Sequence, residues 1–188
     1  VRQKQLSFGS GEFSVMNIVL CGMMGAGKTS VGIRLSDLTG MRWYDTDDLI
    51  TQKYGSIPSI FEFYGEQRFR EIETEIVHSI AGEDNCVIST GGGCVLKPEN
   101  SAAFKAGGGK IVFLKVNIDV LFQRTGHTGD ERSLLKNTSF EKMKALLDYR
   151  TPIYEGCADI TIDTNGLNVD EVAREVLRVL EIPARNAE

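Results

Sequence analysis

The segment "GMMGAGKTS", residues 22–30, follows the apolar run "MNIVLC" and holds the densest chemistry in the chain. Gly22, Gly27, Lys28 and Thr29 stand in the spacing G-x-x-x-x-G-K-[ST]. Glycines let successive backbone N–H groups turn inward as an anion nest, and the helix that follows adds the positive end of its dipole. A loop built from Gly22, Met23, Met24, Gly25, Ala26 and Gly27, running on into Ser30, can therefore cradle the phosphates of a nucleotide such as ATP. Lys28 would reach the terminal phosphates, and the Thr29 hydroxyl would bind Mg²⁺.

Four further segments carry charge or glycine where a plain connector would suffice. "DTDD", 45–48, places Asp45, Asp47 and Asp48 after a strand-like run. Asp48 fits a helix N-terminus. If the strand still runs through Asp45 and Asp47, both project from one side, toward the phosphate loop. A carboxylate there can hold a metal-bound water or take a hydroxyl proton. "TGGGC", 90–94, gives the end of a strand no side chains at Gly91, Gly92 and Gly93, which allows close approach of a small ligand to backbone. That strand ends in Ser89 and Thr90, without the acidic residue that holds Mg²⁺ in motor and switch nucleotidases.

In "FYGEQRFREIETEI", 63–76, Phe69, Ile72 and Ile76 make the inward face and Arg70 sits one step off it. Helix statistics alone make Arg70 a solvated residue paired with Glu66, Glu73 or Glu75. "YRTPIYE", 149–155, puts Arg150 two residues before Pro152, which on its own reads as a helix end whose last carbonyls Arg150 caps. The stretch 124–136 holds Arg124, Arg132, Gly126 and Gly129, and fits a glycine-hinged lid that brings charge to a transferring phosphoryl group.

The elements that must position these residues alternate. Strands are expected near 16–21, 41–44, 86–89, 110–116 and 159–162. Helices are expected near 28–39, 46–54, 58–64, 66–81, 98–106, 117–124, 139–149 and 168–181. The pattern is that of an α/β fold with a parallel sheet covered on both faces. "AGGGK", 106–110, reads as a turn into a strand toward the sheet edge. Ligands in such sheets sit beyond the carboxyl ends of the strands, where the charged segments fall.

Bulk composition narrows the class. The 188 residues are 41% hydrophobic and 25% charged, enough for one domain with a real core. A net charge of −5 argues against a nucleic-acid-binding surface. No apolar run has the length of a membrane span, so no membrane partner is expected. Residues 1–15 read as a flexible leader before a single domain over 16–188. Cys21, Cys86, Cys94 and Cys157 have no metal-site spacing, and reduced cysteines suit the cytoplasm. A monomer is expected.

Taken in order, "GMMGAGKTSVG", "DTDDLI", "IFEFYGEQRFREIE", "STGGG" and "RSLL…YRTPIY" resemble the shikimate kinase family, P-loop enzymes similar to the nucleoside monophosphate kinases. The resemblance spans about Met16 to Leu180. It implies three layers around a five-stranded parallel sheet in the order 2-3-1-4-5, a substrate-binding subdomain around 46–74 and a lid around 125–136. It implies γ-phosphoryl transfer from ATP to the 3-hydroxyl of shikimate, with one Mg²⁺. It reassigns Arg70 and Arg150 as a clamp on the shikimate carboxylate. Asp47 becomes the base or orienter of the hydroxyl. Asp45 joins the Mg²⁺ shell through water, beside Thr29. Gly91, Gly92 and Gly93 line the substrate, Arg124 lies beside adenine, and Arg132 reaches the nucleotide phosphates. The family's "RPLL" is "RSLL" here, and Ser133 in place of Pro loosens the backbone beside Arg132. Two rival readings keep part of this pattern: a kinase for another small hydroxy acid such as gluconate, and a nucleotide-binding module without turnover.

Overall fold

A computed structural model describes residues 16–127 and 139–185, with the side chains of residues 126 and 127 excepted. The elements are β1 (Asn17–Cys21), α1 (Lys28–Thr39), β2 (Arg42–Asp45), α2 (Thr46–Tyr54), α3 (Ile57–Ile80), β3 (Cys86–Ser89), a 3₁₀ turn at Cys94–Leu96, α4 (Pro98–Ala106), β4 (Gly109–Lys115), α5 (Ile118–His127), α6 (Phe140–Cys157), β5 (Ile160–Asp163) and α7 (Val169–Val179). The five strands form one sheet in the order β2-β3-β1-β4-β5, every pairing parallel. β4 lies between β1 and β5, so the strand after "AGGGK" is interior, not at the edge.

Burial follows that order. β1 and β3 are buried at every residue, whereas the edge strands β2 and β5 are only partly so. Successive residues of a strand face opposite layers. Ile18 and Leu20 join Val87, Val112 and Leu114 beneath α1 and α7. Val19 and Cys21 join Ile88, Ile111 and Phe113 beneath Val77, Phe104 and Tyr154. A side chain of this kind contributes roughly 1.5–3 kcal/mol on full burial, so the two layers supply most of the drive to fold. A third, smaller core of Ile50, Ile57, Ile60, Phe69, Ile72 and Ile76 holds α2 to α3.

Three local features set the site. α1 stops at Gly40, whose φ of 71° is the left-handed conformation that ends a helix. α3 is two helices that meet at a kink at Gly65, whose φ of 77° and ψ of 174° are non-helical, as the separate helices expected on either side of it require. α6 does not end near residue 149. It continues to Cys157 with Pro152 inside it, so Arg150 is an interior helix residue and caps nothing. Tertiary packing around the buried Tyr154 outweighs the lost N–H of Pro152. Among the described residues no helix is long and apolar enough to cross a membrane.

Candidate active site

A cleft of about 590 Å³ opens beyond the carboxyl ends of β1, β2 and β3. Its first wall is the loop before α1. Gly22, at φ 136°, leaves no room for a side chain, because a Cβ would stand 2.8 Å from the Leu114 carbonyl oxygen. Gly27, at φ 88°, has nothing within 4 Å of where its Cβ would be, and no side chain caps the helix that starts after it. The first turn of α1 thus presents its N–H groups to open space, as an anion site requires. Met24, Gly25, Ala26, Lys28, Thr29 and Ser30 line the cleft with it. Gly22 and Met23 serve from behind. The Met23 side chain lies in the core, and both carbonyls accept bonds from Lys28 Nζ at 2.9 Å. Lys28 is 8% exposed. Burial pushes its pKa down, and the Asp47 carboxylate is the largest opposing influence.

The second wall is the β2–α2 junction. Helix α2 begins at Thr46, so Asp47 belongs to its first turn, and the strand does not run on through it. Asp45 is the pivot: its Oδ1 accepts the N–H groups of Asp47 at 3.0 Å and Asp48 at 3.4 Å, and its Oδ2 accepts the Thr29 hydroxyl at 2.8 Å. One carboxylate thereby caps α2 and reaches across to α1. The Thr29 and Asp45 oxygens form the hard-donor pair that suits Mg²⁺, which prefers few protein ligands together with water and phosphate oxygens.

The third wall is the glycine run after β3, and each glycine there abuts a charged group. A Cβ on Gly91 would lie 2.6 Å from Asp47 Oδ1 and 3.0 Å from Glu73 Oε1. One on Gly92 would lie 3.6 Å from an Arg150 guanidinium nitrogen, and one on Gly93 would enter the Arg70 guanidinium. Gly91 is held by its N–H, which donates to the buried Thr46 hydroxyl at 2.8 Å. The Gly92 carbonyl accepts the Tyr154 hydroxyl at 2.5 Å and the Arg150 guanidinium at 3.5 Å. Burial pushes the Tyr154 phenol up to about 12, so it stays a donor.

Arg70 is not a solvated surface arginine. Its side chain is 23% exposed, donates to Glu73 Oε2 at 2.8 Å and Glu66 Oε1 at 3.3 Å, and lies 5.1 Å from the Phe69 ring centroid. Glu75 pairs with Tyr54 and Arg68 instead. Glu73, at 1% exposure, is the residue that sequence reasoning undervalued. Burial raises its pKa against the pull of Arg70. Among the described residues, Glu73 Oε1 and Arg150 Nε are buried without a hydrogen-bond partner, and both residues line the cleft. Such orphaned groups are costly unless a ligand or water completes them. At the far end, Arg124 donates to the Gly25 carbonyl at 3.3 Å, and Leu167, Asn168, Val169 and Val172 complete the lining, although in the sequence Asn168 reads only as a helix cap and Val172 only as packing. Arg132 and Ser133, and most of the expected lid, lie outside the described residues.

The shikimate kinase family model matches residues 24–181. The chain belongs to the shikimate kinase family. The shikimate kinase of Geobacter metallireducens is 39% identical over 173 residues, covering 92% of this chain and 96% of that protein. That of Geobacter sulfurreducens is 44% identical over 163 residues, covering 85% and 88%. Among solved structures, the shikimate kinase of Acinetobacter baumannii in complex with shikimate superimposes with a TM-score of 0.83 at 35% identity, covering 89% of this chain and 94% of that one. The Aquifex aeolicus shikimate kinase gives 0.74 at 35% identity, covering 88% and 96%. The sheet order found here is the one the family resemblance implies.

Proposed function

We propose that the chain transfers the γ-phosphoryl group of ATP to the 3-hydroxyl of shikimate. The observation that carries the reading is the glycine wall: Arg150 and Arg70, from α6 and α3, meet at the adjacent residues Gly92 and Gly93, one step from Asp47 at Gly91. Two guanidinium groups converging on a surface without side chains form a socket for one carboxylate, since their planar forks match its two oxygens. A ring held there by its carboxylate turns its hydroxyls toward Asp47 and the phosphate loop.

Phosphoryl transfer passes through a loose transition state, so positioning and charge stabilisation matter more than proton abstraction. Lys28 leaves the Gly22 and Met23 carbonyls for the nucleotide's terminal phosphates. Asp47 orients the acceptor hydroxyl and receives its proton as the bond to phosphorus forms. Thr29 and Asp45 would hold Mg²⁺, which when bound neutralises phosphate charge. Arg124 would lie beside the base and Arg132 at the phosphates. Residues 46–74, with their own small core, would form the acceptor subdomain.

The test is ADP release with shikimate, with gluconate and other hydroxy acids, and with no acceptor. Shikimate-dependent release is expected. Equal turnover on gluconate would remove the acceptor assignment, and calorimetric binding of ATP and shikimate without ADP formation would remove the catalytic one.

A further inference from the structure

Two side chains outside the cleft, the half-buried Trp43 and the buried Ser89, grip the phosphate-binding turn from beneath. Trp43 on β2 donates its indole N–H to Ser89 Oγ at 3.1 Å, and the Ser89 hydroxyl donates to the Lys28 carbonyl at 3.0 Å. The direction of this chain is fixed by chemistry. An indole nitrogen only donates, so Ser89 must accept there, and its single proton must point at Lys28. The space is closed by Gly32, one turn along α1, where a Cβ would stand 2.7 Å from the Trp43 nitrogen and closer still to Ser89 Oγ. β2 then holds the same turn a second time. Asp45, two residues beyond Trp43 and so on the same face of the strand, accepts the Thr29 hydroxyl. In the sheet, Ser89 stands opposite Asp45.

We propose that Trp43 and Ser89 are positioning residues for the nucleotide: they fix the first turn of α1, and with it Lys28 and Thr29, against Asp45. Where a P-loop nucleotidase ends this strand in a metal-holding carboxylate, the strand here ends in a hydroxyl spent on the backbone of the phosphate-binding helix. The proposal rests on the nucleotide reading of the cleft. Neither residue lines that cleft, so an effect on nucleotide binding must pass through α1.

The experiment is calorimetric titration of Mg·ADP and, separately, of shikimate into wild type, Ser89→Ala and Trp43→Phe, with melting temperature and steady-state kinetics alongside. Ser89→Ala is expected to weaken Mg·ADP about tenfold, the size of one well-made buried hydrogen bond, and to lower kcat, with shikimate affinity within about twofold of wild type. Trp43→Phe keeps an aromatic ring of smaller size and removes the indole N–H that Ser89 Oγ accepts, and about a threefold loss for Mg·ADP is expected. Unchanged Mg·ADP affinity in Ser89→Ala overturns the proposal. So does equal weakening of both ligands with a lower melting temperature, the mark of a purely structural contact. Should Ser89→Ala not fold, Trp43→Phe is judged by the same criterion. A wild type that binds Mg·ADP but leaves shikimate unphosphorylated removes the acceptor reading alone, and the Mg·ADP affinities still decide this one.

Discussion

Lys28 is stored in the loop it serves: its ammonium is satisfied by the Gly22 and Met23 carbonyls, 2.9 Å away, at the edge of an open anion site. In the proposed reaction, removing it takes away a preorganised charge at the transferring group, worth about 3 kcal/mol or more of barrier, roughly a hundredfold in rate. Lys28→Ala is expected to lose at least that much kcat while its circular dichroism and cooperative melting persist; near-wild-type turnover would overturn the role. Glu73 offers a second test, through pH. Burial raises its pKa, so the folded state holds this proton more tightly than the unfolded chain does. That contribution is fully present below the ordinary glutamate range and is lost as pH rises through the raised value. Melting temperature measured against pH is therefore expected to fall less across that window in Glu73→Gln than in wild type; parallel curves would refute it. The sequence already held the signal for Glu73. Phe69, Ile72, Glu73 and Ile76 occupy i, i+3, i+4 and i+7, so Glu73 lies on the apolar stripe, where an unpaired charge is rarely tolerated. Read as a surface partner of Arg70, it hid the fact that Arg70 is drawn inward with it.

Element boundaries were legible where the chain carries its own stop signals and illegible where packing overrules them. Gly40 and the capping box of Asn168 and Glu171 are local, and α1 and α7 begin or end where they indicate. Pro152 is also a local signal, yet α6 runs through it, because Tyr154 is buried against Phe113 and anchors Gly92, which straight-chain propensity cannot register. At Gly65 the sequence marks a turn correctly, and the structure adds its purpose: the kink folds residues 57–64 back so that Ile57 and Ile60 close the small core shared with Phe69. A Cβ there meets nothing within 4 Å, so only backbone strain opposes a side chain. Gly65→Ala is expected to cost about 1–3 kcal/mol, the penalty of a side chain in a backbone region essentially restricted to glycine, or else to straighten α3 and displace the arm. Either way the KM for shikimate should rise while that for ATP holds, measured in the ADP-release assay. An unchanged shikimate KM would separate the kink from the acceptor site.

At the scale of the molecule, alternating strands and helices dictate a covered parallel sheet, but periodicity says nothing of strand order; the order came from motif resemblance, and the sheet has it. The consequence of β2-β3-β1 adjacency is that Asp45, the glycine run and the phosphate loop leave neighbouring strands side by side, and one cleft joins segments as far apart in sequence as Met24 and Val172. A ligand filling it ties β1, β2, β3 and α7 together and must stabilise the whole domain by mass action. At a hundred times its dissociation constant, Mg·ADP adds about 2.7 kcal/mol, which for a domain of this length is roughly 5–10 °C in melting temperature. On the proposed reading, the metal part of that rise depends on the Thr29–Asp45 pair, 2.8 Å apart. Adding a chelator at constant ADP is therefore expected to cut the rise substantially in wild type and to change it far less in Asp45→Asn, where one of the two oxygens has lost its charge. Differential scanning calorimetry with and without chelator reads both arms. An equal chelator effect in wild type and Asp45→Asn would place the metal elsewhere, and an ADP-induced rise in wild type that ignores the chelator would show that no metal contributes, since a nucleotide held by α1 and Lys28 alone needs no cation at Asp45.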